Sequence, residues 1–203
     1  VTLFPYTTLF RSASTAMIDL CGYNQLTGEL VLENGVDGAT ITSATPGIYG
    51  FTQTNDLVLA ALNVTGAASL AKYGAGTVTL NRAVTSTGGL TVGEGVFTFG
   101  ANGRWANSSN IVVKGTGKLI IPASNIFHRK TAASVDTADG ACIELSDGVN
   151  MRLSSLTVDG SPLRGGIYGG ASAPAGVTRS AAFSSTGSGV VRVGMAGCVL
   201  VIQ

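Results

Sequence analysis

From residue 28 onward the chain repeats one device. Four to seven residues alternate apolar with small or polar, and then Gly, Asn or Asp ends the run. GELVLENG (28–35), NDLVLAAL (55–62), GTVTLNR (76–82), GGLTVGEG (88–95) and GVFTFGANG (95–103) show it, as do SNIVVKGTG (109–117), GKLIIPASN (117–125), ACIELSDG (141–148) and GVVRVGMAG (189–197). Period-two alternation is the pattern of a strand with one face buried. Gly and Asn supply the backbone conformations that tight corners need. No stretch carries a sustained helical period with caps, so the chain is expected to be all-β.

The spacing of these runs says more than the runs themselves. Leu59, Leu80, Phe99 and Ile120 recur at about 20 residues, and so do Leu70, Leu90 and Ile111, offset by about ten. Two interleaved series with one period predict a right-handed parallel β-helix, a β-solenoid with about 20 residues per coil. Successive coils would then lie about 4.8 Å apart, with like residues stacked in columns. The predicted core is Leu30, Leu32, Leu57, Leu59, Leu80, Leu90, Val92, Phe99, Ile111, Val113, Leu119, Ile121, Ile143 and Leu145. A β-sandwich is the alternative, since it too is built from short strands at similar spacing. Aromatics make up only 6% of the chain, which favours the solenoid over a sandwich with a bulky aromatic core.

Composition narrows the classes of function. Of 203 residues, 12 are Lys or Arg and 11 Asp or Glu, and charged residues total 11%. A near-neutral chain has no overall basic excess for nucleic acid, so no nucleic-acid partner is expected. The longest apolar run, Leu57–Leu62, is far short of the roughly 20 residues of a membrane-spanning helix. Cys21, Cys142 and Cys198 are isolated and form neither a metal pattern nor a disulfide framework, so they are read as small packing residues.

The first residues stand apart from this pattern. TLFPYTTLFRS (2–12) has no counterpart later in the chain. It can be back-translated, without a gap, into one frame of a common short-read sequencing adapter. Residues 1–12 are therefore read as an adapter-derived segment and kept out of the fold argument. On this reading the natural start and any export signal are missing. Residues 13–203 form a solenoid fragment, with a repeat core at 55–125 and a closing segment at 141–203.

Lys72 to Phe97, KYGAGTVTLNRAVTSTGGLTVGEGVF, resembles the autotransporter-associated β-strand repeat without a gap. The residues that fall on its pattern include Gly74, Gly76, Thr77, Thr79, Leu80, Gly88, Gly89, Thr91, Val92 and Gly95. Asn81-Arg82, Val84 and Ser86 depart from it, in the turn between the strands. The resemblance implies a scaffold element of long, secreted or surface-displayed bacterial β-helices. It implies an extracellular or cell-surface location and no catalysis.

Candidate chemistry is sparse. Asp136, Asp139, Glu144 and Asp147 do not have the spacing of a calcium loop and read as a solvated turn. His128 is the single His, and no nucleophile elbow accompanies it. No catalytic, cofactor or metal residue is assigned. The main expectation is a structural stalk or passenger segment. Its alternative is a glycan-binding adhesin using Arg104, Trp105, His128, Arg129 and Lys130, although Trp105 reads more readily as a half-buried packing residue; a polysaccharide-active enzyme is the least favoured. Surface glycans or other repeat proteins would be the partners.

Overall fold

The structure is a computed structural model that describes residues 17–30 and 38–194. The adapter-like segment and Leu32 lie outside these residues. Twenty strands follow one another, and no helix occurs among the described residues. The early coils contribute β1 (Met17–Asp19), β2 (Gln25–Thr27), β3 (Thr40–Thr42), β4 (Gly47–Thr52), β5 (Leu57–Leu59) and β6 (Asn63–Val64). The middle is β7 (Ala68–Tyr73), β8 (Thr77–Leu80), β9 (Leu90–Val92), β10 (Val96–Phe99), β11 (Asn110–Val113), β12 (Lys118–Ile121) and β13 (Ala132–Val135). The last part is β14 (Cys142–Leu145), β15 (Asn150–Leu153), β16 (Ser155–Val158), β17 (Ser161–Pro162), β18 (Gly166–Gly169), β19 (Thr178–Arg179) and β20 (Val190–Val193).

Strands pair with strands one coil away, not with their sequence neighbours. A first face carries β1, β3 and β6. A second runs from β2 through β4, β7, β9, β11 and β13 to β16, and a third from β5 through β8, β10 and β12 to β14. Every pairing along these three runs is parallel. The fold is thus a parallel β-solenoid of about six turns. The β-sandwich alternative is excluded, because Leu59 and Leu80 are direct partners on adjacent parallel strands.

The core is a stack of apolar columns inside the coils. Leu70, Leu90 and Ile111 stand in register, and Ala133 and Leu156 continue them. Each is buried. A single coil cannot bury its apolar face, whereas stacked coils share one continuous core. One expected column needs correction. The coil length is not constant: Val78 pairs with Phe97, 19 positions on, and Leu119 pairs with Ile143, 24 positions on. The drift puts Ile120 on the half-buried outer side of β12, and Ile121 takes the core place beneath Leu145. Leu57 is half-buried and packs against the core from its rim.

After β16 the coil rule is broken. β17 folds back antiparallel on β16, and β18 runs antiparallel to β20 while β20 lies parallel on β15. Phe183 still adds a single parallel bridge above Ile143. The stretch read as a closing segment therefore begins with regular coils and ends in a folded-back piece that covers the edge of the first face.

Candidate functional site

The residues that match the repeat build corners and columns. On β8, Val78 and Leu80 point inward while Thr77 and Thr79 are half-buried on the outside. On β9, Leu90 and Val92 point inward and Thr91 outward. Thr79 lies beside Thr98 of the next coil, yet their hydroxyls form no hydrogen bond with each other. What holds the corners is the backbone. A Cβ on Gly88 would stand 2.1 Å from the carbonyl oxygen of Ala68, one coil below. Gly89, with its N–H donating to the Ser69 hydroxyl at 2.9 Å, completes that corner.

The opposite end of the repeat holds a feature that alternation does not announce. Lys72 is inward-facing and fully buried. Its ammonium donates to the carbonyls of Gly74 and Gly76, and to that of Glu94 at 2.7 Å. Three acceptors match its three N–H groups, which is what a buried ammonium needs. Burial pushes its pKa down to about 8, with the charges of Glu94 and Asp56 pulling the other way. Gly95 makes this cage possible: its φ is +62°, and a Cβ there would lie 2.3 Å from the Lys72 nitrogen. The one sequence clue was a cation in a corner otherwise made of Gly and Ala.

Carboxylates work as staples between coils. Asp56 accepts the Thr77 N–H at 2.9 Å, and Glu94 the Gly74 N–H at 3.0 Å. Asp159 takes both the N–H and the hydroxyl of Thr137. Glu29 accepts from Thr54 and Asn55. With Asp136 and Asp139, these residues line the corner between the second and third faces.

The acidic group singled out in the sequence is not one site. Asp136 closes its own turn through the Ala138 N–H at 3.3 Å. Glu144 pairs with Lys118 at 2.6 Å and accepts from the Thr186 hydroxyl; those two bonds hold its pKa below the usual value. Asp147 takes the N–H and hydroxyl of Ser188, which lowers its pKa in the same way. Among the described residues no three His, Cys, Asp or Glu side chains gather as a metal would require. Cys142 is half-buried with its thiol pKa raised by burial, but Cys21 is exposed, against the expectation of a packed residue.

The candidate glycan residues separate. Trp105 is not a surface aromatic: it is 0% exposed. Its backbone bridges to Phe127 on the next coil, and its Nε1–H donates to the Ser86 carbonyl at 3.1 Å. At this level the first face is held by single bridges, Ala83 to Arg104 and Trp105 to Phe127, where the other faces have strands. Trp105 is therefore removed from the sugar-contact set. Arg104, His128, Arg129 and Lys130 are exposed. His128 accepts the Lys130 N–H through Nδ1 at 3.2 Å, which orders the tip of that loop. Arg104 sits one coil above Arg82, whose carbonyl accepts the Arg104 N–H at 3.2 Å. Asn81 and Asn102 flank the two arginines in a shallow groove.

Among the described residues no helix is long and apolar enough to cross a membrane. No family profile, curated protein or solved structure matches the chain.

Proposed function

We propose that this chain is a structural element, a rigid stacked-coil segment of a secreted or surface-displayed scaffold of the autotransporter-associated repeat type. The observation that carries this reading is how the polar groups are used. Among the described residues, the carboxylates of Glu29, Asp56, Glu94, Glu144, Asp147 and Asp159 and the buried ammonium of Lys72 are engaged in joining a coil to its neighbour, while Asp19 and Asp136 close their own turns. A catalytic carboxylate pair would need two such groups free to face a substrate. The resemblance of residues 72–97 to the surface-scaffold repeat supports the extracellular placement. Catalysis is not part of this reading.

The mechanism is mechanical. Each coil contacts only its neighbours, so stiffness along the axis comes from repeated backbone ladders and a continuous core. Pulling the chain from its two ends tests it. Single-molecule force spectroscopy is expected to show a series of steps, each releasing one coil or a few. One coil of about 20 residues corresponds to about 7 nm of extended chain. A single low-force event releasing the whole chain would count against the scaffold reading.

A further inference from the structure

We infer that the first face carries a binding strip for an acidic polysaccharide, one with closely spaced carboxylate or sulfate groups. The net charge of +1 hides a segregation. Between Glu94 and Asp136 the chain has no acidic residue, while it has Arg104, Lys114, Lys118, Arg129 and Lys130. The coils sort the charges further. The staple carboxylates line the corner between the second and third faces. The cations Arg82, Arg104, Arg129, Lys130, Arg152 and Arg192 lie on the first face and its two corners.

Their order along the axis follows from the pairing. Arg104 bridges to Ala83, next to Arg82. Trp105 bridges to Phe127, which sets the exposed 128–130 loop one coil further. The Ser154 N–H donates to the Thr131 carbonyl at 2.9 Å, so Arg152 is one coil beyond that loop. Arg192 is then the direct partner of Arg152. Five consecutive coils thus each present at least one cation, over a length of about 19 Å. On β15 and β20 the alternation sends Met151, Leu153, Val191 and Val193 inward, which leaves Arg152 and Arg192 on the outer side. Asp147, held by Ser188, is the one carboxylate on the neighbouring corner of these coils.

A row of like charges at coil spacing complements a polymer that presents an anion on each successive unit. Many weak contacts across one face then add up through multivalency. Single-stranded nucleic acid is disfavoured as the occupant. It needs exposed aromatic surfaces for base stacking, and the aromatics of this face, Trp105 and Phe127, are buried.

The strip adds a ligand to the scaffold reading and stands apart from it. A failed pulling experiment leaves the strip intact, and a failed binding experiment leaves the rod intact. The test titrates the full chain with polygalacturonate, with neutral dextran and with a thymidine oligonucleotide, at low and at physiological salt. Polygalacturonate is expected to bind and to weaken as salt rises, and dextran not to bind. The variant Arg104→Ser/Arg152→Ser is expected to lose about fivefold or more in affinity, while Lys114→Ser/Lys118→Ser, with the same charge change off the face, loses less than about twofold. Circular dichroism melts confirm that both variants fold. Absence of polygalacturonate binding, equal losses in the two variants, equal binding of dextran, or tighter binding of the oligonucleotide would each overturn the proposal.

Discussion

Lys72 and Glu94 clasp across one coil boundary without a direct ion pair. The Lys72 ammonium donates to the Glu94 carbonyl at 2.7 Å, while the Glu94 carboxylate turns back to accept the Gly74 N–H at 3.0 Å. One coil's cation is held by the next coil's backbone, and that coil's anion by the first coil's backbone. The corner is thereby locked in both directions.

Gly95 is the residue that this clasp tolerates least changing. An Ala there must adopt φ +62° and also push its Cβ into the Lys72 nitrogen and the carbonyls of Gly74 and Gly76. Gly95→Ala is expected to destabilise by about 2–4 kcal/mol. Gly140→Ala is the comparison: φ is +91°, but a Cβ there meets nothing within 4 Å. It is expected to cost about 1 kcal/mol of backbone strain. Urea unfolding of both variants measures the difference.

Lys72 makes stability depend on alkaline pH. Its folded pKa of about 8 lies below the ordinary 10.5. At neutral pH both folded and unfolded states are protonated, and the desolvation cost of the ammonium is carried in full. As pH rises through 8 the folded state sheds the proton first, so Lys72 adds stability up to about 10.5, by about 3 kcal/mol at most. Cys142 and Tyr49, both raised by burial, act in the opposite sense at high pH. Subtracting the profile of Lys72→Met removes their share. The difference in unfolding free energy between the two proteins, from urea curves at pH 7.5, 8.5 and 9.5, is expected to move in favour of the wild type as pH rises. A flat difference would contradict the lowering of the Lys72 pKa by burial.

Trp105 is expected to behave as a core residue. Trp105→Ala should cost about 3–5 kcal/mol. Trp105→Phe keeps most of the volume but leaves the Ser86 carbonyl without its donor, a loss of about 1–3 kcal/mol. The single indole should emit at short wavelength and resist acrylamide quenching. Strong quenching in the folded protein would place it on the surface instead.

The strands and their stacking were legible because alternation and period are local and repeat many times. Leu70, Leu90 and Ile111 announced a column that the pairing reproduces. The series ending at Ile120 slipped by one residue because corners change length from coil to coil, and a slip of one turns a side chain to the other face. Trp105 reads from the sequence either as a half-buried packing residue or as a loop aromatic for a sugar, because no alternation surrounds it; the packing reading holds, with Arg104 and Asn107 exposed around a fully buried indole. Lys72 was visible as part of the repeat but not as buried, since its three acceptors are carbonyls, which no side-chain pattern reveals. The charge segregation was written in the gap between Glu94 and Asp136, yet only the coil geometry says which cations share a face.

The central claim, that residues one coil apart stand over one another, is tested most directly by distance. Val58, Thr79 and Thr98 are successive outward partners on the third face, and Ile120 is the partner of Glu144. Spin labels at Val58→Cys and Glu144→Cys, with the native cysteines replaced by Ser, span four coil steps. Pulsed electron resonance should give a narrow distribution corresponding to a backbone separation of about 19 Å, shortening by about 5 Å when the first label moves to Thr79→Cys. A broad distribution, or a distance that does not shorten with that move, would contradict the stacked coils.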